Sequence, residues 1–323
     1  MNNIMKKSTM NIVFGLLLST IAFNSYAEIR IVTSTQDLAA IATAVGGEQV
    51  KVQSLTLGTR DPHFASAKPS MIRKVFRADL LLVVGAGMEI GWLPPLLQSA
   101  RNARVQPANS GYLDLSRVVP LLGKSSGPVS RAMGDVHAGG NPHYWLDPRN
   151  GKRMAQAIAT RLGELDPAHK DDYQQRFKAF AQTLDRKLLV WQAELAWLKG
   201  TSVIAYHTSF VYLADAFGFQ IVDEVEPKPG ISPSAASLSA LVSRLRVEDI
   251  NLLIMEPYYE RRSARYLNEQ TAIQVAVLPQ SVGAQPDINH YFDLFDAIVA
   301  ALNIAAQDKA AQDKAAQDKA GGQ

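Results

Sequence analysis

The sequence predicts an α/β protein of two lobes joined by one long helix, and three observations predict it. Short apolar runs of strand length alternate with helical periodicity in both halves of the chain, the pattern of parallel βαβ units. The 323 residues suffice for two ordinary domains, and a hydrophobic content of 47% gives each the material for a core. Between the halves, Lys170 to Leu198 carries an apolar stripe of Tyr173, Phe177, Phe180, Leu184, Leu188, Trp191, Leu195 and Leu198, with neither Pro nor Gly to interrupt it. At 1.5 Å rise per residue that is one helix on the order of 40 Å long, a rigid spine between lobes.

The elements follow in chain order. In residues 1–27, Lys6 and Lys7 stand ahead of the apolar run Ile12 to Phe23, and Ser25-Tyr26-Ala27 fits the small-x-small cleavage pattern of a signal peptide. Export to the periplasm is therefore expected, with a mature chain from Glu28. The apolar run is shorter than the roughly 20 residues that span a bilayer, and no second long one follows, so the mature protein is expected to be soluble. Lipid attachment at the cleavage point needs a cysteine, which the chain lacks.

Residues 28–168 read as the N-terminal lobe: strand Ile29 to Thr33, helix Thr35 to Val45 with Ser34 or Thr35 as its cap, strand Val50 to Leu55, and helix Pro69 to Phe76. Leu80 to Val84 is a continuous apolar run ending in Gly, as expected of a parallel strand buried on both faces. Val118 to Asn141, rich in Gly, Pro and Ser, predicts a long surface loop, and Arg149 to Leu162 a helix. Residues 169–199 form the linking helix. The C-terminal lobe, 200–304, repeats the alternation: strands Ser202 to Tyr206, Gln220 to Val225, Leu252 to Met255 and Gln274 to Leu278, and helices Ser209 to Phe217, Ala235 to Arg246 and Arg261 to Thr271. Asn289 to Ala305 closes it as a helix. The tail, 305–323, repeats Ala-Ala-Gln-Asp-Lys three times, which predicts a solvated helix or disorder without chemistry.

Composition narrows the function. Removing Lys6 and Lys7 with the signal takes the formal charge from +3 to +1, a balance that argues against nucleic acid as a partner. With no cysteine there is neither a disulfide nor a thiolate ligand, so any metal site must be built from nitrogen and oxygen.

Of the six histidines (His63, His137, His143, His169, His207, His290), three stand where an element gives way to a loop. His63 follows the Val50 to Leu55 strand and His207 directly follows Ser202 to Tyr206, and in open α/β sheets ligands bind beyond the carboxyl ends of strands. His143 lies in Asn141-Pro142-His143-Tyr144-Trp145-Leu146-Asp147-Pro148, stiffened by proline on both sides and shielded by two aromatics. Three neutral imidazoles are a coherent zinc or manganese ligand set. Taken singly, each is more often a buried, hydrogen-bonded side chain than a ligand, and no His-x-x-x-His pair overturns that.

Local context does decide. Asp61-Pro62-His63 followed by Lys68-Pro69-Ser70 and Ala78-Asp79-Leu80-Leu81, then Asn141 to Pro148, then Tyr206-His207-Thr208-Ser209-Phe210, together resemble in order the three ligand motifs of the zinc- and manganese-binding solute receptors of ABC importers, the cluster 9 group of ZnuA and TroA. The resemblance covers nearly the whole mature chain. It implies two α/β lobes on a backbone helix, metal held in the cleft between them, and delivery to a membrane permease. Zn²⁺ is expected first by ligand type and Mn²⁺ next, with a monomeric receptor and His63, His143 and His207 as ligands.

The fourth ligand departs from that pattern. Such receptors generally supply Asp or Glu in the turn after the strand that is here Gln274 to Leu278, where this chain reads Leu278-Pro279-Gln280-Ser281. Glu256, ending the preceding strand, is the assigned replacement, with Asp287 or a bound water as alternatives; Glu256 also reads as a cap or ion-pair partner near Arg261. His137 reads either as an auxiliary ligand or as a solvated loop residue. Glu226 to Pro233, with three prolines, predicts a stiff inter-lobe loop near the cleft, and Tyr206, Trp145 and Tyr258 line the cleft or pack in the core. The alternative function is an exported zinc-dependent hydrolase, because three protein ligands and a water also make a catalytic zinc; the chain has no His-Glu-x-x-His helix to support it.

Overall fold

The computed structural model describes residues 28–124, 137, 139–226 and 231–321. The expected signal peptide, most of the loop between Val118 and Asn141 and the centre of the Glu226 to Pro233 segment lie outside the described residues.

The first lobe runs β1 (Ile29–Thr33), α1 (Gln36–Gly46), β2 (Val50–Ser54), α2 (Pro69–Arg77), β3 (Leu80–Val83), α3 (Leu93–Ala100), β4 (Tyr112–Asp114) and α4 (Pro148–Leu165). Its four strands are all parallel in the order β2-β1-β3-β4, with Ile31 opposite both Val52 and Leu80. After α5 (Lys170–Glu194) come β5 (Ser202–Ala205), α6 (Val211–Phe217), β6 (Gln220–Glu224), α7 (Ala235–Leu245), β7 (Leu252–Met255), α8 (Arg262–Thr271), β8 (Gln274–Val277) and α9 (Tyr291–Gly321). The second sheet is parallel too, and its order β6-β5-β7-β8 repeats that of the first. In each sheet the strand order reverses between the first and third strands, so each has a crevice beyond the carboxyl ends of that pair.

Two elements escaped the sequence reading. Helix α3 is short and opens with Pro94 and Pro95, tolerated in its first turn because those amides have no intrahelical partner. Strand β4 is three residues long, too short to show a period. At the other end, the helix expected to close at Ala305 runs on to Gly321. The Ala-rich repeat has high helix propensity and Lys309 pairs with Asp313 one turn on, so nothing stops propagation. Neither proposed cap of α1 acts as one: Thr35 is the N-cap residue, but its side chain makes no capping hydrogen bond.

Helix α5 is the continuous span its stripe predicts, closing in a short 3₁₀ turn at Ala196–Leu198. Tyr173, Phe180, Leu184 and Trp191 are buried along it. It packs on α1 and α4 from the first lobe and on α9 from the second. Phe180 stacks on Phe292 at 4.9 Å, and the Trp191 indole donates to Asp296 at 2.7 Å. The junction is broader than a single helix, because one buried apolar cluster runs unbroken from Ile31 and Leu38 through Tyr173 and Trp191 to Phe217, Phe295 and Leu302. Each sheet keeps a separate core on its outer face, under α2 and α3 in one lobe and α7 and α8 in the other. Lobes that share a core cannot swing apart without exposing it to water.

A polar clasp lies on the same seam. Asp37, in the first turn of α1, accepts hydrogen bonds from the Ser281 hydroxyl (2.6 Å) and the Val282 amide (2.9 Å) of the other lobe. Its carboxyl is fully buried, and burial, outweighing these hydrogen bonds, pushes its pKa up to about 6.

Candidate metal centre

The sequence motifs place His63 and His143 by a local device, and a contact between distant segments places His207. Asp61 caps the 3₁₀ turn Pro62–Phe64 by accepting the His63 amide at 2.9 Å, and the same oxygen accepts from His63 Nδ1 at 2.7 Å. The Trp92 indole, at the start of α3, donates to the Pro62 carbonyl at 3.0 Å and holds the turn against the lobe. Asn141 repeats the arrangement for His143, its side-chain oxygen accepting from the His143 amide (3.0 Å) and from Nδ1 (2.9 Å). Its amide nitrogen donates to the Thr208 carbonyl of the second lobe (2.8 Å), and the Tyr212 hydroxyl of α6 donates to the Asn141 carbonyl (2.7 Å). His207 lies two residues beyond the end of β5, and its Nδ1 is 2.9 Å from the Glu226 carboxylate.

One rule covers all three. Facing a carboxylate or amide oxygen, Nδ1 is the nitrogen that carries the proton, so the lone pair is on Nε2. Oxygen acceptors behind histidine ligands orient the ring and fix the tautomer in this way at metal sites. The rings are gathered: His63 and His143 have centroids 5.1 Å apart, and His143 and His207 6.1 Å. Zinc–nitrogen bonds of 2.0–2.1 Å in a tetrahedral site put imidazole centroids about 5.2 Å apart, so the first pair already fits and the second is about an ångström wide. As the side chains stand, no group of three or more His, Asp or Glu among the described residues encloses an ion. The remaining approach would come with the cation.

The electrostatics suit a cation. His143 is held neutral, with a pKa well below the usual value, by burial first and then by its imidazole neighbours His63, His207 and His137. His207 is pushed up: burial would lower it, but the Glu226 hydrogen bond and the charges of Glu256, Glu226 and Asp61 outweigh burial. Asp61 sits below the ordinary carboxylate range, because its hydrogen bonds with His63 and the His63 and His207 charges together exceed the opposing effect of burial.

Glu256 immediately follows β7, the strand beside β5, and is completely buried. Neither carboxylate oxygen has a hydrogen bond of full geometry, and burial raises its pKa to about 7 against the pull of His207 and the nearby Ser209 hydroxyl. A carboxylate left so is costly unless a cation or proton joins it. Asp287 is exposed in the turn before Ile288. Gln280, in the turn where the resemblance implies a carboxylate, is buried and engaged, its carbonyl accepting from the Trp145 indole (2.8 Å) and its side-chain oxygen from the Tyr258 hydroxyl. Trp145 packs on His143 with centroids 5.3 Å apart, so one of the expected cleft aromatics touches the cluster directly. Beside the histidines a cleft opens between Phe64, Tyr206, Tyr259 and Glu226.

The sequence left two participants undecided or unseen. His137, one of two readings open, stands with its Nε2 3.1 Å from that of His63. Glu226 reads in the sequence only as the start of a loop; the signal that could find it is its place two residues beyond the end of β6, next to the strand that leads to His207.

Two parallel α/β lobes with shared imidazoles at their seam define a bilobed binding protein. Residues 31–305 match the family described as ZnuA, zinc-uptake complex component A, periplasmic, and the chain belongs to that family of metal-binding solute-binding proteins of ABC transporters. The family is a solute-binding one and not enzymatic, which removes the hydrolase alternative. The chain is 30% identical over 136 residues to the high-affinity zinc uptake system protein ZnuA of Brucella abortus (strain 2308), covering 42% of this chain and 41% of that one. That match thus spans about two fifths of the length of the first curated relatives. With the protein of the same description from Yersinia pestis, identity is 26% over 289 residues, 84% of this chain and 89% of the other. The metal ABC transporter substrate-binding lipoprotein SloC of Streptococcus mutans is 24% identical over 269 residues, 81% and 84% of the two chains. A crystal structure of ZnuA superposes with a TM-score of 0.70 at 24% identity, over 86% of this chain and 98% of that one. A Mn-bound periplasmic metal binding protein from candidatus Liberibacter asiaticus also gives 0.70, at 18% identity over 85% and 98%. These structural likenesses bear on the fold.

Proposed function

We propose that this chain is the extracytoplasmic receptor of a metal ABC importer, capturing Zn²⁺ in preference to Mn²⁺ and presenting it to the membrane permease. The ligands are His63 and His143 from one lobe and His207 from the other, with the buried carboxylate of Glu256 supplying negative charge beside them. The observation that carries the reading is that all three imidazoles are backed at Nδ1 by oxygen acceptors, Asp61, Asn141 and Glu226, which leaves three Nε2 lone pairs at one seam. Nitrogen donors of this kind favour zinc over the harder manganese by ligand type and by the general affinity order. The relatives named for zinc uptake support the same preference.

Capture needs no chemistry. The lobes share a core, so loading draws His207 and the loop of His143 inward by about an ångström and leaves the frame in place. The permease then distinguishes loaded from empty receptor by the order of the cleft rim. Zinc titration of the mature protein by calorimetry tests this: His143→Ala and His207→Ala should each weaken binding at least about tenfold. Unchanged isotherms for both variants would end the proposal.

A further inference from the structure

Resting on the capture reading above, we infer that His137 is itself a ligand of the captured ion, completing a set of four imidazoles with His63, His143 and His207. The Nε2 atoms of His137 and His63 are 3.1 Å apart while their ring centroids are 5.2 Å apart. Nitrogens closer together than ring centres mean that the two rings present their Nε2 edges to each other, the arrangement of a direct hydrogen bond or, with slight opening, of a shared ion. In a tetrahedral zinc site with 2.0–2.1 Å bonds, two ligand nitrogens are separated by about 3.4 Å and two imidazole centroids by about 5.2 Å. His137 and His63 therefore need only a few tenths of an ångström of opening to share an ion, and His63 with His143 is at the same centroid spacing.

The surroundings are shaped for the ring. A Cβ on Gly87 would come within 2.8 Å of His137 Nδ1, and Gly87 has a backbone φ of +90° that side-chain-bearing residues rarely adopt. Gly87 thus gives His137 its place. With Asp61 fixing the proton of His63 on Nδ1, the His63 Nε2 is an acceptor, so His137 meets it either through a hydrogen bond of its own or through a shared cation.

The ligand count then explains the amide at Gln280. A set of four imidazoles needs no carboxylate from that turn, and Gln280 is committed to Trp145 and Tyr258 instead. Glu256 balances the dication's charge through His207 without a bond of its own. All four donors are then nitrogen, which sharpens the preference for Zn²⁺ over Mn²⁺.

Cobalt(II) is the probe, because its visible bands report the number and type of donors. The mature protein and its His137→Ala, Glu256→Gln, His143→Ala and His207→Ala variants are titrated with Co²⁺ and, by competition, with Zn²⁺ and Mn²⁺. His137→Ala should shift the Co²⁺ bands, lower Zn²⁺ affinity at least about tenfold and narrow the Zn²⁺ to Mn²⁺ ratio, with added imidazole restoring the bands. Glu256→Gln should lower affinity and leave the band positions alone. If His137→Ala keeps the native bands and affinity while His143→Ala and His207→Ala lose binding, His137 is no ligand and the capture reading stands. If none of the variants changes binding, both fall.

Discussion

Replacing Asp37 by Asn should make the metal-free protein more stable at neutral pH and equally stable in acid. Asp37 is buried between the lobes, where its oxygens accept from Ser281 and Val282, and its pKa is raised from 3.8 to about 6. A raised carboxyl holds its proton more tightly folded than unfolded, so its contribution is fully present below pH 3.8 and is lost as pH rises through about 6. A displacement of about two units at 1.36 kcal/mol each makes the loss about 3 kcal/mol. Asparagine does not titrate, keeps an oxygen for the Val282 amide and turns its NH₂ toward the Ser281 oxygen. Urea unfolding in chelator at pH 4, 5, 6 and 7 gives the difference between variant and parent directly, and other titrating groups cancel. The gap should widen in favour of Asp37→Asn by about 2.4 kcal/mol from pH 4 to pH 7, the rest of the loss falling below pH 4. A gap independent of pH, or one that widens toward acid, would refute the account of this seam.

Other outcomes follow from the site. Glu226→Gln keeps an acceptor for His207 Nδ1 but removes a charge from behind it, so zinc affinity measured by competition should fall about tenfold with little change in melting temperature. Hydrogen exchange with and without zinc should change mainly around residues 137–143 and 207–210, and broad changes over both sheets would contradict a shared rigid core. Truncation after Ala306 removes a stretch of α9 whose described side chains are mostly exposed and in which Gln312 accepts from Gln274; denaturation should move by no more than about 0.5 kcal/mol.

Much of the scaffold was legible because its signals are local. The strands buried on both faces, Leu80 to Val83 and Leu252 to Met255, announce themselves as unbroken apolar runs, and the α5 stripe shows its period over seven turns. Helix α3 was hidden by its own prolines and β4 by its brevity. The extension of α9 was ambiguous because a polar, Ala-rich repeat has helix propensity without an interior stripe to demand it. In the site, His63, His143 and His207 were readable from motif order, and Asp61 and Asn141 lie two residues before the rings they hold. Glu226 lies 19 residues from His207 and was not.

Determined in the sequence alone were the alternation of elements, the spine, the nitrogen-and-oxygen character of any metal site and the three motif histidines, since each depends on neighbours within a few turns of chain. Only the tertiary structure decided that the lobes share one core and that Asp37 clasps them. It alone also brought His137 up against His63, gave Glu226 to His207 and buried Glu256 completely. Those facts depend on which loops two parallel sheets bring together at their carboxyl ends, a matter of packing between segments far apart in the chain, which no local periodicity encodes.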